Sequence, residues 1–315
     1  MRALIAGRCI LAGLWGSCVV AGCHKDSRQP PAASSVPPSA VGAKCHAGWP
    51  MPNTPASGLP NPQSYDAADP EVVRDRVTGL WWQRVVDPDD YGVIAATAYC
   101  EGLILAGHRD WRLPALIELA SIVDLSRANP ATDPVAFPDT PPVSFWSSQT
   151  NTGVGNTGLA WYVLFQNGGA YGGNDVHDRQ RVRCVRGHTS CTDLDVSPYS
   201  VAGDRVHDDF TGLTWQREVD PTRYPWQEAK DHCSGLSRYG TGWRLPSVSE
   251  LLTLVDFTQT EPALDRSAFP NTPSEFFWSS SPSLALAGTA WGVSFIHGSE
   301  AASAVAMPAW ARCVR

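Results

Sequence analysis

Leu80 and Trp82 alternate with Trp81 and Gln83, and Leu213 and Trp215 alternate with Thr214 and Gln216. A period of two marks a half-buried strand, so one is expected at each place, entered through the turns Thr78-Gly79 and Thr211-Gly212. Further on, Ala96, Cys100 and Leu103, and again Ala229, Cys233 and Leu236, fall at i, i+4 and i+7, the apolar stripe of an amphipathic helix. Ser247, with Glu250 three residues on and Leu251, Leu252, Leu254 and Val255 behind it, forms a capping box that opens a second helix. The matching place in the first half carries Glu118 but has Ala115 for the serine, so only half of that box is written there. Trp161, Val163, Phe165 and Trp291, Val293, Phe295 return to a period of two, and Cys184-Val185-Arg186 and Cys313-Val314-Arg315 are expected as closing strands.

Every element is read twice because the chain repeats itself. Trp111-Arg112-Leu113-Pro114 returns at Trp243-Arg244-Leu245-Pro246, and Phe145-Trp146-Ser147-Ser148 at Phe277-Trp278-Ser279-Ser280. Each copy reads as a strand, two helices and a strand-rich half, an α+β domain, with boundaries expected at 64–187 and 191–315. Polar residues kept in both copies beside Trp and Leu, namely Arg112, Asp124, Arg244 and Asp256, are expected to satisfy buried groups of the scaffold. Trp82, Trp146, Trp161, Trp215, Trp278 and Trp291 are expected in the core, each worth about 2 to 3 kcal/mol if fully buried.

Ahead of the repeats, Arg2 and Arg8 flank an apolar run from Ile10 to Val20, too short to span a bilayer and suited to a signal segment over residues 1–22. Val20-Ala21-Gly22-Cys23 resembles a bacterial lipobox, which makes Cys23 the expected lipidation site. His24 follows instead of an aspartate, so resemblance to Gram-negative sorting implies the outer membrane, facing the cell surface or the periplasm. Membrane contact would come through the acyl chains alone, each buried methylene contributing about 0.8 kcal/mol. Residues 23–63 read as a Pro-rich linker, and its second Pro-rich run, Trp49 to Pro62, is expected along the first repeat. A formal charge of −7 without any Lys/Arg run argues against nucleic acid as a partner.

Setting aside Cys9, Cys18 and Cys23 leaves six cysteines, which in an exported chain are expected to be bonded. Fifteen connectivities are open to six. Equivalent bonds should recur in equivalent copies, which selects Cys100 with Cys184 and Cys233 with Cys313 and leaves Cys45 for Cys191.

The ordered set Thr-Gly-Leu-x-Trp-Gln, Trp-Arg-Leu-Pro, Phe-Trp-Ser-Ser and terminal Cys-Val-Arg resembles the Lcl C-terminal domain family over about residues 72 to 186 and 205 to 315. The resemblance implies two tandem C-type-lectin-like domains, each with two helices and a small antiparallel sheet and with a disulfide from first helix to last strand. It also implies surface display, with adhesion to a glycan or protein. The Gly-x-y collagen tract of the adhesin that gives the family its name is missing here.

No metalloprotease, serine-hydrolase, Cys-x-x-Cys or phosphate-loop motif occurs in the chain, so a binding protein is expected and not an enzyme. The competing reading is a modifying enzyme of the formylglycine-generating type, which resembles this fold but uses a pair of late cysteines where each repeat here has one. Ligand contacts are expected where the copies differ, because loops on a shared scaffold carry specificity. Between Phe165 and Arg181 the first copy gathers Tyr171, Asn174, Asp175, His177 and Asp178 among glycines, and Trp81 stands where the second has Thr214. No cofactor is expected, with calcium on Asn174, Asp175 and Asp178 as the one metal those oxygens suggest.

Overall fold

The computed structural model describes residues 52–151, 158–175, 177–187, 198–237, 240–257 and 259–315. The expected signal segment, the lipidation site Cys23 and the Cys45–Cys191 pair lie outside these residues.

The first copy runs β1 (Tyr65–Asp66), β2 (Val72–Asp75), β3 (Trp81–Gln83), α1 (Val93–Gly102), α2 (Leu116–Ser121), β4 (Ser144–Asn151), β5 (Leu159–Leu164), β6 (Gly169–Asp175) and β7 (Val185–Arg186). The second follows as β8 (Tyr199–Ala202), β9 (Arg205–Asp208), β10 (Thr214–Gln216), α3 (Trp226–Gly235), α4 (Val248–Leu252), β11 (Phe276–Pro282), β12 (Thr289–Ser294) and β13 (Ser299–Ala304). The result is α+β. Among the described residues the antiparallel sheets are ordered β1-β2-β3-β7, β10-β9-β8, β4-β5-β6 and β11-β12-β13.

The expected opening strand of each copy is β3 or β10, but further strands, β1 and β2 or β8 and β9, precede it. A buried aspartate makes the turn between them: Asp75 accepts from Val77 N at 2.8 Å and from Thr78 Oγ1 at 2.7 Å, and Gly79 takes φ +77°. Asp208, Thr211 and Gly212 repeat the device. Gln83 and Gln216 correct the simple alternation, since both are buried. Each accepts a hydrogen bond from the backbone of the late cysteine, Gln83 from Cys184 N at 3.1 Å and Gln216 from Cys313 N at 3.2 Å. Strand β3 is therefore covered on both faces.

Helices α1 and α3 bury Ala96 and Cys100, and Ala229 and Cys233, as the apolar stripe requires. Disulfides join Cys100 to Cys184 and Cys233 to Cys313, tying the first helix to the end of each copy. Helix α4 opens on the full capping box: Glu250 N donates to Ser247 Oγ at 3.1 Å, and Ser247 N to Glu250 Oε2 at 2.8 Å. At α2 only the return bond is made, from Ala115 N to Glu118 Oε2 at 2.8 Å. All six core tryptophans are buried. Trp146 packs with the first disulfide and Trp278 with the second, whereas Trp82, Trp161, Trp215 and Trp291 belong to one cluster that runs through both copies.

The copies thus share a core. Strands β6 and β13, each the outer strand of its sheet, run side by side, and α2 meets α4. Across this seam Trp161 packs edge-on against Phe257 with ring centroids 4.7 Å apart. Glu300, buried on β13, accepts a hydrogen bond from Ala170 N on β6 at 2.8 Å.

The Pro-rich run lies against the first repeat, as expected, with Leu125 N donating to Thr54 Oγ1 at 3.2 Å, and it reaches the second copy as well. From Asn53 to Gln63 it closes on itself, with Asn53 N donating to Asn61 O at 3.0 Å and Gln63 N to Asn53 O at 2.9 Å. It then straps both copies together. Gln63 Nε2 donates to Ser121 O and Val123 O of the first copy, both at 2.7 Å, and Ser247 Oγ of the second donates to Asn53 Oδ1 at 2.9 Å.

Candidate ligand-binding cleft

The stretch expected as an oxygen-rich loop is strand β6. Two of its three glycines serve packing: a methyl group on Gly172 would lie 2.8 Å from the Trp161 ring, and one on Gly169 would lie 2.8 Å from Trp291, while Gly173 takes φ +121° beside open space. Tyr171 is half-buried, its hydroxyl accepts from Asn167 Nδ2 at 3.1 Å, and burial raises its pKa. Asn174 lies on β6 with its side chain outside the description. Asp175 Oδ1 is engaged by His177 N at 2.9 Å as a turn acceptor, and His177 and Asp178 are exposed beyond it. Among the described residues no group of three or more His, Cys, Asp and Glu is placed to hold a metal. Trp81 belongs to the other sheet of the first copy, half-buried, with the Arg74 guanidinium 5.7 Å from its ring centroid. The expected residues are therefore not gathered into one site.

Of the shared polar residues, Arg112, Arg244 and Asp124 engage the scaffold. Arg112 holds Glu118 through two bonds of 2.7 Å, and Arg244 holds Glu250 through bonds of 2.7 and 2.6 Å, fixing the carboxylate that caps each short helix. Asp124 accepts from Ser126 N at 2.9 Å and from Arg127 Nε at 2.9 Å. Sequence reasoning missed Arg183 and Arg312, which are fully buried. Arg312 Nη1 donates to Gln216 O at 2.6 Å and Arg217 O at 2.8 Å, Nη2 to Thr272 Oγ1 at 2.7 Å, and the guanidinium stands 4.7 Å from the Phe269 ring centroid. Arg183 makes the same set with Gln83, Arg84, Thr140 and Phe137. Burial pushes both guanidinium groups down to about 9, opposed by Tyr65 beside Arg183 and Tyr199 beside Arg312, and they remain cations at neutral pH.

A cleft of about 740 Å³ opens between the strap and the second copy. The strap from Asn53 to Leu59 forms one wall, with Leu125 and Ser126 of the first copy beside it. Opposite stand Gln227, Lys230, Asp231 and Ser234, which the helical period places on one face of α3. The start of α4 and the end of β11 complete it, with Ser249, Ser280 and Leu284. Lys230 lies over the Trp226 ring at 4.5 Å, and Gln227 Nε2 donates to Asp231 Oδ1 at 3.0 Å.

Residues 71–186 and 204–315 each match the model of the Lcl C-terminal domain. The chain belongs to the Lcl C-terminal domain family. No curated protein matches it. Family membership suggests a surface-associated domain, here present as a tandem pair that shares one core. Within the pair the cleft falls where the two Lcl C-terminal copies diverge. Gln227, Lys230, Asp231 and Ser234 of the second copy stand where the first has Ile94, Thr97, Ala98 and Glu101, and Ser249 stands where the first has Ile117. Only an aligned comparison of the copies along α3 could have drawn attention to that row from sequence. The strap that completes the site gave no such signal.

Proposed function

We propose that this protein is a lipid-anchored surface protein that binds a glycan or protein ligand in the cleft between the strap and its second Lcl C-terminal domain. The observation that carries the reading is the polar row on α3, which belongs to the second copy alone and lines the cleft beside shared residues such as Arg244 and Ser280. A cleft of about 740 Å³ lies within the ordinary range for a small-ligand site. The C-type-lectin-like reading of the scaffold rests on the disulfide that ties the first helix to the closing segment of each copy, which leads into β7 in the first and, in the second, makes isolated bridges at Val314 in place of the expected strand. A binding role is favoured over a formylglycine-generating type of chemistry because the late cysteines, Cys184 and Cys313, are buried and bonded. Anchoring at Cys23 would place this pair at the outer membrane on a Pro-rich tether, and among the described residues no helix is long and apolar enough to cross a membrane.

The test is an array carrying both glycans and peptides, probed with the mature protein and with Ser234→Trp, which fills the cleft from an exposed position on α3. Binding by the mature protein that the variant loses is the expected result. An array on which nothing binds, or on which the variant binds equally, sinks the reading. Mass spectrometry of the mature N-terminus should find acylated Cys23.

A further inference from the structure

We infer that the cleft is a site for an uncharged oligosaccharide, held by side-chain hydroxyl and amide groups without a metal ion. The inference rests on the binding reading above and names its ligand class. The charges at the cleft cancel. The Arg244 guanidinium is committed to Glu250 by its two short bonds, and Lys230 and Asp231, neighbours on α3, carry one charge of each sign. A sulfated or phosphorylated ligand would find no net positive field there, and a cationic ligand no net negative one.

The groups that remain suit a polyol. Ser249, Ser280 and the Gln227 amide can each donate and accept, as every sugar hydroxyl can. No hydrogen bond among the described residues uses the Ser249 or Ser280 hydroxyl. Leu59, Leu125 and Leu284 supply apolar surface for the C–H faces of a pyranose, and Leu284 is 57% exposed at the rim. A peptide added as a strand would need a ladder of open backbone groups. The end of β11 offers no backbone donor: Ser280 N donates to Pro246 O at 2.6 Å, Ser281 N to Ser279 Oγ at 3.2 Å, and Pro282 has no N–H. The neighbouring backbone donor, Val248 N, is taken by Ser281 Oγ at 3.1 Å.

The test is calorimetric titration of the mature protein with neutral tetrasaccharides of glucose and of N-acetylglucosamine. A sulfated tetrasaccharide and a Pro-rich peptide serve as competing probes, each titrated with calcium and with chelator. A neutral tetrasaccharide should bind with an affinity that chelator leaves unchanged and that salt alters little, since no counterions are released. Gln227→Ala, exposed on α3 and remote from the core, should weaken that binding about fivefold, the loss of one hydrogen bond. Ile94→Ala, at the equivalent place on α1, should leave it unchanged. Preference for the sulfated probe or the peptide, loss of binding in chelator, or an unaffected Gln227→Ala variant would overturn the inference while leaving the cleft a binding site. Absence of binding to every probe, here and on the array, would overturn both.

Discussion

Gly172 has no room for a side chain, because a methyl group there would press on the Trp161 ring from 2.8 Å. Gly172→Ala should destabilise the chain by about 1 to 3 kcal/mol, the usual range for overpacking, in a urea unfolding experiment. An unchanged midpoint would mean that β6 does not lie on Trp161. Arg312 makes the opposite case, a large polar group in a place that suits no other. Arg312→Met keeps much of the volume but strips donors from the Gln216 and Arg217 carbonyls and from Thr272, a loss on the order of 3 kcal/mol or more. Neither role could be read from the residue alone. A glycine-rich, carboxylate-bearing run looks like a loop until the tryptophans beneath it are placed. Likewise an arginine beside Cys313 looks exposed until its carbonyl partners, 96 and 95 residues upstream, are brought to it.

At the scale of elements, the two short helices form a natural experiment in capping. Helix α2 starts after Ala115, as the repeat predicts, and Ala115 lacks the acceptor that Ser247 supplies to Glu250 N. Ala115→Ser should stabilise the chain by roughly 0.5 to 2 kcal/mol. Ser247→Ala should destabilise it by at least as much, because the same hydroxyl donates to Asn53 Oδ1. The signs must be opposite in thermal unfolding of the intact chain, the proper object here because the copies share a core. Ser247→Ala should also free the strap, read as faster proteolysis between Asn53 and Gln63, whereas Ala115→Ser should not. Helix positions and disulfides were legible because their signals are local periods and equivalences between copies. The strap was not, since proline-rich composition specifies where a chain cannot form helix or sheet and says nothing about what it touches.

The whole molecule is set by the seam between its copies. Ala170 and Glu300 occupy equivalent positions on β6 and β13, opposite Val163 and Val293, and they meet there. Burial raises the Glu300 carboxyl from an ordinary 4.5 to about 8, against a lowering by the hydrogen bond from Ala170 N. The same carboxylate contributes to the raised value of Tyr171 on β6, after burial itself. A folded value above the unfolded one means that the contribution to stability is full below about 4.5 and is lost as pH rises through about 8. Stability should therefore fall across that window, and Glu300→Gln, which keeps the acceptor and cannot ionise, should flatten the fall. Melting temperatures of both proteins at intervals over the window measure this, and parallel profiles would remove Glu300 from the seam.

By itself the sequence determined the doubling, the α+β order of elements, the two disulfides and the tryptophan core, because each follows from a period or a correspondence written along the chain. It could not decide which surfaces of the copies would meet. Equivalent positions such as Ala170 and Glu300 differ in a way that makes sense only when they face each other, and Gly169 and Gly172 of β6 only when Trp291 and Trp161 stand against them. The cleft, too, is tertiary. It exists because hydrogen bonds from residues far apart in the chain lay a proline-rich segment across both copies, closing a wall opposite the polar face of α3.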